Sequence, residues 1–305
     1  MKPMDSPSAL AALQEVRPAV EADREQLSSL IMLEPHVHKH LDWKAPLDWL
    51  GQSPYIVLQE GRRISGALAC PPDPESIAWL RLFAFASSLS GSAAWRMLWP
   101  TARRELGDHG GGTVAAIATQ PWLEPILLEN GFHLISQIVL MEMDTRAASL
   151  ASTPAGVLIR SMLPEDLPRV ADLDAAAFEP LWRNSLGALT SAFRQASHAS
   201  VAEGPSGLLG YHLSTGGVFG THLARLAVLP EAQRHGVGTA LVQDLTSHIP
   251  HEREPRLTVN TQSDNSASHA LYARLGFRRT GERFPVYGYE VRAADATETD
   301  GGGSI

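Results

Sequence analysis

The residues whose types and spacing point most directly to chemistry lie between Leu226 and Thr239, Leu-Ala-Val-Leu-Pro-Glu-Ala-Gln-Arg-His-Gly-Val-Gly-Thr. The largely apolar run Leu223 to Leu229 predicts a buried strand that Pro230 ends. From Gly236 onward, Val237, Leu241, Val242 and Leu245 recur at helical spacing. In a strand–loop–helix of this kind the N–H groups of Arg234, His235, Gly236, Val237, Gly238 and Thr239 point outward at a helix N-terminus, where the macrodipole favours an anion. Gly236 and Gly238 carry no Cβ, so a pyrophosphate can approach the backbone. The stretch lacks the third glycine and the early βαβ unit of a dinucleotide fingerprint. It also lacks the Gly-Lys-Ser/Thr of a nucleotide P-loop.

What remains is Leu226-Ala227-Val228 followed by Gln233-x-x-Gly236-x-Gly238, which resembles the acetyl-CoA-binding motif of the GNAT superfamily of N-acetyltransferases. A second segment, Asn265-Ser-Ala-Ser268-His-Ala-Leu271-Tyr272-Ala-Arg-Leu275-Gly276-Phe277, fits that family's Asn-x-x-Ala/Ser-x-x-Leu-Tyr-x-x-x-Gly-Phe. The resemblance implies acetyl-CoA as acyl donor and direct transfer to a primary amine of a small molecule or peptide. It also implies roles. Val228 falls where the family has a β-bulge that exposes backbone N–H groups to the pantetheine arm and thioester. Tyr272 falls at the tyrosine that protonates the departing thiolate, the other reading being a core tyrosine. Asn265 matches the asparagine that touches the cofactor, and it is equally suited to cap the helix after it. Gln233 and Arg234 either contact phosphates or face solvent, Arg234 standing where many relatives carry glycine.

The general base is not fixed. Ribosomal-protein N-terminal acetyltransferases, which this half resembles around Leu226 to Gly238, carry a glutamate five residues before the asparagine. Here that position is Asn260. His222, in the strand leading to the bulge, can take a proton directly or through water, or it is simply structural. Glu179, Glu203 and Tyr287 are weaker candidates. The missing glutamate also keeps open a non-catalytic protein that binds CoA or acetyl-CoA as a sensor or regulator.

The elements that must position these residues recur in the chain. Val16-Arg17-Pro18 with Asp23 matches Ile159-Arg160 with Asp166, Ile64 to Ala67 matches Leu208 to Tyr211, and Asn130-Gly131-Phe132 matches Leu275-Gly276-Phe277. An offset near 145 residues suits a duplicated domain. The expected fold class is therefore α/β with a mixed sheet, as two GNAT domains in tandem. Residues 14–144 form a degenerate GNAT-like domain without cofactor, 145–156 a linker, 157–292 the catalytic domain and 293–305 an unstructured tail. The first half supplies Trp79 to Phe85 as the corresponding strand. Beyond it stands Ser87-Ser88-Leu89-Ser90-Gly91, with one glycine where the cradle needs two, and Leu127 stands at the place of Tyr272. In the second half helices are expected over 181–195 and to about Ile249, with two closing strands up to Glu290.

Net charge is −8 with a pI near 5.8, and the cations are scattered, which argues against nucleic acid. One cysteine, Cys70, allows no internal disulfide, and no apolar run reaches membrane-spanning length, so a cytoplasmic monomer or homodimer is expected. His36-Val-His38-Lys-His40 places alternate imidazoles on one face of an extended segment, but a polar or substrate-facing segment is the preferred reading and no metal is expected. Trp43, Trp49, Trp79, Trp95, Trp99 and Trp122 should mostly be core, a few lining a groove shared with Phe178 and Trp182.

Overall fold

In the computed structural model, residues 14–147, 153–217, 220–249 and 256–294 are described. The expected linker and tail fall in large part outside them. The first half runs β1 (Gln14–Pro18), α1 (Arg24–Leu33), β2 (His36–Lys39), β3 (Tyr55–Glu60), β4 (Arg63–Ala69), β5 (Ile77–Trp79), β6 (Leu82–Phe85), α2 (Gly91–Asp108), β7 (Gly112–Ile117), α3 (Leu123–Glu129) and β8 (His133–Asp144). The second runs β9 (Leu158–Ser161), α4 (Leu167–Ala177), α5 (Leu186–Gln195), β10 (His198–Gly204), β11 (Gly207–Gly217), β12 (Gly220–Val228), α6 (Val237–Ser247), β13 (Arg256–Gln262), α7 (Ser266–Arg274) and β14 (Arg278–Val291).

The repeat seen in the sequence is physical. Arg17 pairs with Asp23 at 2.7 Å and Arg160 with Asp166 at 2.7 Å. Each aspartate also accepts a backbone N–H three residues earlier, from Val20 and from Leu163, both at 2.9 Å. One guanidinium thus locks the first strand of each half to the turn that opens its first helix. Gly131 and Gly276 both adopt positive φ, +83° and +95°, where a side chain would clash with the carbonyl. The phenylalanine after each is buried.

Two sheets result. A five-stranded sheet, in the order β1-β3-β4-β6-β2, belongs wholly to the first half. A nine-stranded sheet, β5-β7-β14-β8-β13-β12-β11-β10-β9, draws on both. The halves exchange their closing strands. β8 lies antiparallel between β13 and β14 of the second half, and β14 lies antiparallel between β7 and β8 of the first. The cores follow the strands: Met141 and Met143 pack with Val242, Leu257 and Tyr272, while Tyr287 and Val291 pack with Trp95, Trp99 and Phe132.

Four expected elements differ. The strand from Trp79 to Phe85 breaks at Leu80–Arg81, because Leu80 N–H donates to Ala115 O in one sheet and Arg81 N–H to Ala69 O in the other, both at 2.8 Å. The buried Arg81 holds that break through Asp42 at 2.8 Å and the Trp49 ring 4.5 Å away. The helix over 181–195 is a 3-10 turn at Pro180–Trp182 followed by α5, since Asp174 takes the Asn184 N–H at 2.8 Å and Ser185 caps α5 at Ala188 N. The two closing strands are one continuous β14, with a register shift between Arg279 and Arg283 around Gly281 at φ +94°. The cradle helix itself ends at Ser247, two residues short of Ile249.

Candidate acyl-CoA site

β12 shares a sheet edge with β13 only over Thr221–Leu223, in parallel, and then leaves it, whereas its pairing with β11 continues to Val228. Strands that diverge leave one backbone edge of β12 without a strand partner. A cleft of ≈ 580 Å³ opens there, between the end of β12, the start of α6 and one face of α7. A bulge lies in β12, but at Ala224, where Leu213 faces Arg225 and Ser214 faces Leu223. It stands four residues before Val228, the position the family pattern suggested. The extra residue bends the strand where it parts from β13.

The loop ahead of α6 has a conformation that exposes donors. Arg234 and Gly236 both lie in the left-handed region, φ +62° and +86°, and no side chain caps the helix. The first N–H groups of α6 therefore have no intrahelical or side-chain acceptor, which is the arrangement that binds an anion. The first-half counterpart is closed. There the Ser90 hydroxyl accepts from Ala93 N–H at 3.2 Å, and the Glu34 carboxylate takes both the N–H and the hydroxyl of Ser87, at 2.8 and 2.6 Å. A Cβ on Gly91 would stand 2.5 Å from Ile126, so the loop is packed against α3 as well.

Of the residues expected to touch a cofactor, Leu226, Ala227, Val228, Gln233, Arg234, Gly236, Gly238, Thr239 and Asn265 line the cleft. The side chains of two others do not. Val237 is buried among Ala202, Ala232 and Leu241, and His235 is exposed outside the lining. Gln233 donates to Val228 O at 3.2 Å, and Asn265 caps α7 by accepting Ser268 N–H at 3.0 Å. Gly238 serves packing too: a Cβ there would meet the Leu271 side chain at 3.2 Å.

Phe178, expected from the resemblance to border a groove, is a wall of this cleft, and Arg274, which sequence reasoning missed, is its second cation. Arg274 follows Leu271 by one helical turn, so it shares the α7 face whose spacing marked Leu271. Phe178 depends on distant groups. The Arg225 guanidinium lies 3.6 Å from its ring centroid and is held by both oxygens of the fully buried Asp174 at 2.8 Å and by Trp182 O at 2.7 Å. Tyr211 donates to the same carboxylate. Beyond this wall Trp182 meets Trp79 of the first half at 5.6 Å between centroids.

The two catalytic candidates sit in different surroundings. Tyr272 is 4% exposed and packs on Phe277 with centroids 5.3 Å apart; burial pushes its phenol up, so it stays protonated. It is not among the residues lining the cleft. His222 Nδ1 lies 2.9 Å from Thr258 Oγ1, whose hydroxyl donates to Thr221 O at 3.4 Å. With the hydroxyl proton on Thr221 O, the hydroxyl accepts from Nδ1–H and the lone pair is on Nε2; the other tautomer reverses this. Burial lowers the His222 pKa and keeps the ring neutral. The other histidines noted in sequence are placed apart: His36 stacks on Phe85, His40 on Trp79, and buried His38 bonds Leu80 O at 3.2 Å with its pKa lowered by burial to about 4.

A splayed strand pair and an uncapped helix N-terminus, set in two sheets that share strands, are the features to compare with known proteins. Residues 167–277 match the sequence model of the Acetyltransferase (GNAT) family. The whole chain has the tandem GNAT fold. It is similar to a tandem GNAT protein from the clavulanic acid biosynthesis pathway, with TM-score 0.62, 20% identity and coverage of 93% of this chain and 100% of that one. It is similar also to a GCN5-related N-acetyltransferase from Sphaerobacter thermophilus, TM-score 0.60, 14% identity, covering 92% and 96%. A third is a probable N-acyltransferase from Enterococcus faecalis V583, TM-score 0.70, 9% identity, covering 92% and 72%. No curated protein matches the sequence. Among the described residues, no helix is long and apolar enough to cross a membrane.

Proposed function

We propose that the chain is an acetyl-CoA-dependent N-acetyltransferase with one cofactor site, in the second half, and a first half that binds no cofactor. The observation that carries this reading is the contrast between the two helix starts. At α6 the N–H groups are uncapped and Arg234 and Arg274 flank the cleft; at α2 a serine and the Glu34 carboxylate occupy the corresponding loop. Arg234 and Arg274 have no ion-pair partner among the described residues, and each can meet a phosphate of CoA. The open edge of β12 offers backbone N–H groups to the pantetheine arm, which orients the thioester carbonyl.

The amine must arrive neutral. In this reading His222 Nε2 takes its proton, directly or through water, and Tyr272 supplies one to the thiolate as the thioester breaks; like Tyr272, His222 lies outside the lining of the cleft. The acetyl group passes from sulfur to nitrogen directly, without a covalent enzyme intermediate. The acceptor is a primary amine on a small molecule or peptide.

Calorimetric titration of acetyl-CoA tests the site: one equivalent per chain, lost in Gly236→Glu, whose carboxylate faces the pyrophosphate position. Two equivalents, or full binding by the variant, would overturn it. One observation favours a sensor instead, namely that Tyr272 is enclosed by Met141, Leu223 and Phe277. Tyr272→Phe separates the readings. The enzyme loses about 100-fold or more in kcat, whereas a sensor keeps both its binding and its effect.

A further inference from the structure

The geometry points to a second binding site, remote in sequence from the cradle, and we infer that His198, His212 and Asp244 bind one divalent transition metal of the Zn²⁺ class. His198 and Ser200 alternate along β10, and Ser200 is the register partner of His212 on β11, so the three side chains share a sheet face. Asp244 reaches them from α6. The three ligand atoms all lie within 4.8 Å of one another. His198 Nε2 stands 2.9 Å from Asp244 Oδ2, and His212 Nε2 stands 3.6 Å from the same oxygen. A tetrahedral ion with bonds of about 2.0–2.1 Å needs ligand atoms about 3.3 Å apart. Both separations fall close to that value.

The independent observation is His212 itself. Its ring is fully buried, and neither nitrogen has a hydrogen-bond partner. Buried polar atoms are rarely left so unless something else fills the position.

The surroundings suit a metal. The Ser200 hydroxyl donates to Asp244 Oδ2 at 2.6 Å and orients the carboxylate, as supporting groups around metal ligands do. His248 stacks on His198 at 4.0 Å, and its Nδ1 is engaged by Asp244 O at 2.7 Å, so it braces the ligand ring rather than adding a ligand. The side chains of His198 and Asp244 are 18% and 21% exposed, which provides entry from solvent. Two imidazoles and one carboxylate select Zn²⁺ or a similar ion over Mg²⁺ or Ca²⁺, which require mostly oxygen. Water completes the set.

Asp244 lies seven residues beyond Val237, about 10 Å along α6. The metal would therefore pin the far end of the helix whose start forms the cradle, tying it to β10 and β11. This role is structural and does not depend on acetyl transfer.

The test uses the full-length, untagged chain freed of metal with EDTA. Titration with Zn²⁺ alone should show one equivalent per chain and a raised Tm, and Co²⁺ should give the visible absorption of a tetrahedral site. Asp244→Asn and His198→Gln preserve size and polarity, and each should weaken Zn²⁺ at least about 100-fold while the metal-free circular dichroism is unchanged. His248→Ala should still bind one equivalent. Absence of Zn²⁺ binding at micromolar concentration, or a Co²⁺ spectrum of octahedral type in the wild-type chain, overturns the proposal without reference to any variant. Undiminished affinity in either ligand variant overturns it as well.

Discussion

At the scale of single residues, Arg234 is the most informative position in the cradle. A non-glycine residue at φ +62° is strained, and the position is one where glycine is the unstrained choice. Arg234→Gly should therefore stabilise the chain by about 1 kcal/mol, read as a higher midpoint in urea. The same change removes one of two unpaired guanidinium groups at the cleft, so acetyl-CoA affinity should fall by about tenfold. Stabilisation with unaltered affinity would show that the side chain faces solvent. His222 yields a pH prediction. Because burial lowers its pKa, the ring is mainly neutral at pH 6.5, where an exposed histidine would be half protonated. The acid limb of kcat/KM should lie below 6.5 and disappear in His222→Gln. A limb that persists in that variant belongs to another group, such as the substrate amine.

Among elements, the segment from α4 to α5 shows how a distant ion pair shapes the cleft. Arg225 on β12 clamps Asp174, the Trp182 carbonyl and the Phe178 ring at once. Asp174 has no solvent exposure, so Asp174→Ala leaves a buried guanidinium without its carboxylate and should cost about 3–5 kcal/mol. If Phe178 then leaves its place, acetyl-CoA affinity falls too; a stability loss with intact affinity would confine the clamp to folding. None of this was readable in the sequence, because Asp174 and Arg225 are 51 residues apart and nothing local marks them as partners. The cradle was readable for the opposite reason: its strand, loop and helix are contiguous, and Gly236 carries the positive φ its position requires. The same limit applies to the helix expected over 181–195. Its helical pattern is interrupted by the Asp174 and Arg225 bonds to Asn184 and Trp182, contacts supplied by tertiary structure. The proposed metal ligands are spread across β10, β11 and α6, so no local spacing marks them as the alternation of His36, His38 and His40 marks that segment.

Over the whole molecule, the duplicated landmarks predicted two repeated folds and were silent about how they close. Each half lends the other a strand. Without β8, the second half would have β13 and β14 with no strand between them, and the cluster around Tyr272 would lose Met141 and Met143. Unpaired strand edges and an opened apolar cluster both favour association over folding. Separately produced fragments 1–150 and 151–305 should each be aggregated or loosely packed alone, with no cooperative thermal transition. Mixed during refolding, they should recover the circular dichroism of the intact chain and its single acetyl-CoA site. The arrangement also gives the first half a role that needs no ligand of its own: it contributes the strand on which the second half's sheet depends. A fragment 151–305 that is monomeric, melts cooperatively and binds acetyl-CoA with the affinity of the intact chain would show that the exchanged strand is dispensable.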